Sequence, residues 1–156
     1  MRTRTRTRTD RPRIIGSIRE RLLIHLIADE VVNHLEQLHP ELQIDVEALQ
    51  HIRLGFLREP CTKLWGICSY ADNAKGRPRT EFTERHGTHR ILLARKLLHE
   101  DMKEAVITIH HEFLHSILGS KEGHGEVFQK HEPRINQYIS SIVRSLSNQI
   151  NRKSNL

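Results

Sequence analysis

The residues best equipped for chemistry are His111-Glu112-Phe113-Leu114-His115, an H-E-x-x-H sequence. Four residues make about one helical turn. On a helix both imidazoles therefore project from one face and can bind a single zinc ion. Glu112 lies one residue on, rotated by about 100°, and can approach the open side of the metal as a general base. Zinc is redox-inert and favours imidazole nitrogen, and three protein ligands leave a fourth position for water, which is the catalytic arrangement. His110 is adjacent but has no Glu after it and no His four residues on, so only one frame works. With 12 histidines in 156 residues, an accidental H-E-x-x-H would arise in roughly one such chain in twelve, so context has to carry the reading. The motif follows the apolar run Ala105–Ile109. A loop, Gly119–Gly123, then reverses the chain towards His124, the third candidate ligand, and a helix expected after it would fix its approach.

The elements that position these residues are readable from periodicity and caps. Ser17 and Glu20 form an S-x-x-E capping box, and Ile18, Leu22, Leu23, Leu26, Ile27, Val31 and Leu35 follow at helical spacing. This predicts a first helix to about Leu38, ended by Pro40. A short helical pattern covers about Val46–Arg53. Lys63–Tyr70 is rich in β-branched and aromatic residues without helical period and reads as a strand, with Gly66 permitting a close backbone approach or a bulge. Residues 71–87 read as a loop or hairpin with a weak strand near Thr80–Thr83, and Thr88–Ala94 as a further strand. Asp101 caps the helix that carries the motif, Ala105, Val106, Ile109, Phe113, Leu114 and Ile117 supply its apolar stripe, and Gly119 stops it. A short helix begins near Gly125 and is interrupted by Pro133. A last amphipathic helix uses Ile135, Tyr138, Ile139, Ile142, Val143, Leu146 and Ile150.

Composition bounds the rest. A chain of 156 residues suffices for one domain. The expected organisation is a basic arm over 1–16, one domain over 17–150 and a tail over 151–156. Residues 1–13, MRTRTRTRTDRPR, are low-complexity and are expected to be disordered alone. The formal charge of +6 resides there: residues 1–21 hold eight Arg against Asp10 and Glu20, and the remaining basic and acidic residues balance. The high pI thus belongs to the arm and does not mark the folded body as a nucleic-acid surface. Lys75, Arg77, Arg79, Arg85, Arg90, Arg95 and Lys96 form a second basic stretch, with few aromatics for base stacking. DNA contact is therefore expected through the arm and the Lys75–Lys96 region, if anywhere. Cys61 and Cys68 are too few for a disulfide framework and read as free thiols. No apolar run approaches the roughly 20 residues of a membrane span and no secretory signal is visible, so an intracellular location without membrane contact is expected. His25, His34, His39, His51, His99 and His131 have no ligand spacing to a partner and are read as non-metal. Tyr70, His86, His89 and Arg90 are candidates for oxyanion donors by type only.

His111-Glu112-x-x-His115, followed after eight residues by Glu122-Gly123-His124-Gly125-x-x-Phe128, resembles the SprT-like metallopeptidases, as do the Gly-containing strand Trp65-Gly66-Ile67-Cys68 and the segment Arg90–Leu98. The resemblance covers about residues 17–135 and is specific at 111–128. It implies an α+β, zincin-like core, a small sheet with the active-site helix beneath it. It also implies His124 as third zinc ligand and peptide-bond hydrolysis of protein substrates, in several relatives proteins crosslinked to DNA. The C-terminal Cys-rich zinc ribbon of many members is not expected here, because the last pattern is a helix without cysteines. Zinc would lower the pKa of water to about 7, and Glu112 would take its proton and pass it to the leaving amine. The alternative is a nucleic-acid-binding protein with a structural zinc site. Such sites usually close with a fourth protein ligand, often Cys, and give Glu112 no purpose.

Overall fold

Ser17 starts the first helix as its spacing to Glu20 predicts. The computed structural model describes residues 15–57, 66–70, 89–119 and 122–154, and in it helix α1 runs Ile18–Leu38. The Ser17 hydroxyl accepts from the Glu20 backbone N–H at 3.1 Å, and the Ser17 N–H donates to Glu20 Oε1 at 2.9 Å. Two donors that a helix start leaves open are thereby satisfied. Glu20 also reaches beyond its own helix. Arg95 donates to both carboxylate oxygens at 2.9 and 3.1 Å, and His99 Nε2 lies 2.8 Å from Oε2. A carboxylate buried to 6% exposure is tolerable because it is fully paired, and the pairing ties α1 to helix α3, Lys96–Glu100.

Helix α2 is shorter than its pattern suggests. It runs Val46–Gln50 from an Asp45 cap, and the predicted continuation to Arg53 is overturned because Arg53–Phe56 is strand β1. Three strands form the sheet: β1, β2 (Gly66–Tyr70) and β3 (His89–Leu93), in the order β1-β3-β2. β1 lies parallel to β3 with Leu54 opposite Ile91, and β2 lies antiparallel with Cys68 opposite Ile91. Along β3, Ile91 and Leu93 are fully buried, the period of two that sends alternate side chains to one face. Of the strands expected over 63–70 and 88–94, Gly66–Tyr70 and His89–Leu93 are strands, while residues 63–65 and 88 lie outside the described residues. The weak strand near Thr80–Thr83, with Trp65, Phe82 and Cys61, lies outside them, as does the N-terminal arm to residue 14.

Helix α4, Met102–Leu118, starts where Asp101 accepts from the Lys103 N–H at 2.9 Å. It packs against β2 and β3 with one side and against α1 and the last helix, α6 (Ile139–Ser154), with the other. Its placement at the centre follows from its composition. Ala105, Val106, Ile109, Phe113, Leu114 and Ile117 are all buried, and each fully buried large aliphatic or aromatic side chain contributes about 1.5–3 kcal/mol. Helix α5, Glu126–His131, passes directly into a 3-10 turn over Glu132–Gln137 that carries Pro133 near its start. The last helix, α6, covers Ile139–Ser154. It begins after Tyr138 rather than at Ile135, because the 3-10 turn spends Ile135 on the core. It continues past Ile150, where its apolar pattern stops. No helix among the described residues is long and apolar enough to cross a membrane.

Candidate metal centre

His111 and His115 stand one turn apart on α4, and their Nε2 atoms lie 3.2 Å from each other. His124 closes the triangle, with its Nε2 at 3.0 Å from His115 and 3.4 Å from His111. Three nitrogens so arranged cannot all be joined by hydrogen bonds. Each Nε2 carries either a proton or a lone pair, so at least one of the three pairs must match like with like. A cation removes the conflict by accepting all three lone pairs. Two ligands of a tetrahedral zinc at 2.0–2.1 Å lie about 3.3–3.4 Å apart, close to the separations found here. Among the described residues these three histidines are the group able to hold a metal ion.

Phe128 supplies the floor. It is 1% exposed and its ring lies 4.8, 4.5 and 5.0 Å, centroid to centroid, from His111, His115 and His124, stacked on the middle one. The wall of the site thus holds the imidazoles from behind and leaves their nitrogens facing a common point. Burial and the neighbouring His111 and His124 hold the His115 pKa down, to about 4. Its ring is therefore neutral and keeps a lone pair for a metal at ordinary pH.

The loop that delivers His124 explains the residues around it. Gly123 adopts φ +55°, a left-handed conformation that favours glycine. Glu122 folds back so that its Oε1 accepts from the Val127 N–H at 2.9 Å and more weakly from the Phe128 N–H at 3.4 Å. It thus caps helix α5, whose own N-cap position is Gly125 with no side chain to offer. A Cβ on Gly125 would meet Glu122 Oε1 at 2.6 Å. The Glu-Gly-His-Gly string is thus a capped turn in which Gly123 supplies the left-handed φ and Gly125 makes room for Glu122, and Gln129 fastens it by donating to the His124 carbonyl at 2.8 Å.

Glu112 faces the sheet side of α4. Its carboxyl is 5% exposed, and burial pushes its pKa up to about 7 against the lowering effect of a hydrogen bond from the Cys68 backbone. Gly66 on β2 allows this closeness: a Cβ there would stand 2.8 Å from the Thr108 methyl and 3.3 Å from Glu112 Oε1.

Two features escaped the sequence. Glu132 Oε1 lies 2.8 Å from His111 Nδ1; a lone Glu 21 positions past His111 carries no signal. The second is a buried imidazole row, His110–His39–His131. His39 Nε2 lies 2.8 Å from His110 Nε2, and His39 Nδ1 lies 2.9 Å from His131 Nδ1. His39 spends a different nitrogen on each partner, so the three form a chain and do not converge on one point. Of the candidate oxyanion donors, Arg90 is exposed on β3, while His86 and the side chains of Tyr70 and His89 lie outside the description. In the basic stretch, Lys75, Arg77, Arg79 and Arg85 lie outside it, Lys96 is exposed and Arg95 is held by Glu20. Cys68 is half-buried on β2.

The model of the SprT-like family matches residues 28–152. No curated protein and no solved structure gives a match.

Proposed function

The chain belongs to the SprT-like family, and from that membership and the histidine triangle we propose that it is a zinc-dependent endopeptidase with a zincin-like core. The observation that carries the reading is the convergence of His111, His115 and His124 Nε2 within 3.4 Å one residue from a buried carboxylate. His111, His115 and His124 are the ligands in this reading, and Glu112 is the general base. Held by them, zinc would supply Lewis acidity, acidifying water and polarising the scissile carbonyl. Glu112 takes the proton of the attacking water and delivers it to the leaving amine. Its burial keeps bulk water from competing for that proton, and a cation nearby lowers its raised pKa towards the base form. Phe128 keeps the three rings oriented.

The set of three favours catalysis over a structural site. Structural zinc closes its shell with a fourth protein ligand, and among the described residues no cysteine or carboxylate joins the histidines. The substrates proposed are proteins associated with or crosslinked to DNA, reached inside the cell, with the Arg-rich arm and the Lys75–Lys96 region as DNA contacts. The test incubates zinc-loaded full chain, and the chain lacking residues 2–13, with a DNA-binding protein in the presence and absence of single-stranded DNA. Fragments are expected from the full chain with DNA. Glu112→Gln, which keeps the shape and loses the basic oxygen, should retain zinc and produce none. Equal fragmentation by Glu112→Gln would remove the general-base role, equal fragmentation without DNA would remove the DNA link, and equal fragmentation without the arm would leave any DNA contact to the Lys75–Lys96 region.

A further inference from the structure

We propose that Glu132 is a positioning residue for His111, fixing which of its ring nitrogens carries the proton and thereby setting metal affinity. The inference rests on the metal reading above and names a residue that the H-E-x-x-H and His-Gly motifs do not contain. An ionised carboxylate can only accept, so the 2.8 Å contact between Glu132 Oε1 and His111 Nδ1 requires the proton on Nδ1. The lone pair of the neutral ring then lies on Nε2, the nitrogen that faces His115 and His124. The carboxylate stands on the opposite edge of the ring from the triangle. It is therefore not placed to join the three nitrogens as a fourth ligand. A hydrogen-bonded carboxylate behind a ligating imidazole also makes that imidazole a stronger donor.

Glu132 is held in place by the fold and does not meet His111 by chance of a long side chain. It sits at the joint between α5 and the 3-10 turn, and its neighbour His131 is 2% exposed and joined through His39 to His110. The adjacent pairs His110-His111 and His131-Glu132 are thus linked twice: once under the surface through the His39 ring, and once at the surface through the carboxylate. Two links between the same two backbone segments leave little freedom for either to slide. The half-exposed upper pair, with side chains 26% and 38% exposed, depends on the buried lower row for its register.

The experiment measures zinc affinity by chelator competition for the parent, Glu132→Ala and Glu132→Gln, with melting of each metal-free protein. It also records a long-range 1H–15N spectrum of the zinc-loaded forms, which reports where each ring proton resides. Glu132→Ala should bind zinc about 10–100-fold more weakly. Glu132→Gln, which fills the same space and keeps an acceptor oxygen without the charge, should fall between Ala and the parent without a change in melting. The His111 Nδ1 proton should be protected from exchange in the parent and lose that protection in Glu132→Ala. Parent-like zinc affinity in both variants would overturn the positioning role alone. An unchanged His111 ring signal in Glu132→Ala would do the same. A parent that binds no zinc would overturn the metal reading itself, and this inference with it.

Discussion

Glu112 is surrounded closely enough that a single methyl group on the opposing strand reaches it. Gly66 faces Thr108 and Glu112 across the gap between β2 and α4, and an added Cβ would press on the Thr108 methyl at 2.8 Å. The Thr108 contact forces something to shift, and the Glu112 carboxylate, 3.3 Å away, must also give way. A displacement of about 1 Å of a catalytic group can cost about 100-fold in rate. On the proposed peptidase reading, Gly66→Ala is accordingly expected to lower kcat by about 10–100-fold while zinc stoichiometry stays at one per chain, since the atoms an added Cβ meets first belong to Thr108 and Glu112 and to none of the three histidines. Turnover and metal content of the same preparation test it, and parent-like kcat would mean that Gly66 does not set the position of the base. At this scale the sequence is legible where chemistry imposes a short spacing. His111, Glu112 and His115 share one turn, and His124 is flagged by its glycine neighbours. Gly66 was readable as a close approach, although what it approaches was not. Glu132, His39 and His131 were not readable, because their partners lie 21, 71 and 92 positions away and only the fold brings them together.

The turn from Glu122 to Phe128 is an element with one task, holding His124 against His111 and His115 on another helix. Its capping acceptor comes from outside α5, because Gly125 has no side chain to supply one. That arrangement explains a glycine whose own φ of −70° any residue could adopt: the constraint is the space taken by Glu122, 2.6 Å from where a Cβ would stand. Gly125→Ala should expel Glu122 and leave the Val127 and Phe128 N–H groups without their acceptor. Losing a cap costs about 0.5–2 kcal/mol, so metal-free stability should fall by about that much. Zinc affinity should fall with it as His124 loosens, in denaturant titration and chelator competition respectively. Unchanged values in both would show that another group takes over the cap. Elements whose caps are local, such as α1 from Ser17 and α4 from Asp101, were legible to within a residue or two. α2 was overextended and β1 and α3 were missed for the opposite reason. Arg53–Phe56 becomes a strand only because β3 lies beside it, and five-residue α3 is secured by Arg95 and His99 reaching Glu20, contacts across 75 and 79 positions.

Across the whole molecule, the groups joining distant segments are titratable, and both sets make the metal-free protein sensitive to acid. His39 lies at the end of α1 between His110 on α4 and His131 on α5. Burial first, then the charges of His131 and Arg134, push its pKa from the ordinary 6.5 down to about 4, against the pull of Glu41. His110 is pushed down further, to about 3, chiefly by burial. A histidine lowered in this way takes up its proton in the unfolded chain below pH 6.5 but resists it when folded. The unfolded state therefore binds more protons in this window, and stability falls as pH drops from about 6.5 towards 4. Glu20 acts lower on the scale. The Arg95 guanidinium, then the Ser17 N–H and His99, hold its carboxyl well below the usual carboxylate range. Its contribution is complete above the ordinary value of 4.5 and is lost as pH falls through the lowered one. Each pH unit of difference in one group corresponds to about 1.4 kcal/mol. Lowering the pH from 7 to 5 should therefore remove up to about 2 kcal/mol through His39 alone, before Glu20 is affected. His39→Gln keeps polar atoms beside His110 and His131 but cannot take up a proton. Its stability at pH 7 should be lower than the parent's, and its decline between pH 6.5 and 4 should be shallower by up to one proton. Denaturant unfolding of metal-free parent and variant at half-unit steps of pH measures both slopes. Parallel slopes would mean that the imidazole row is not what couples this fold to acid.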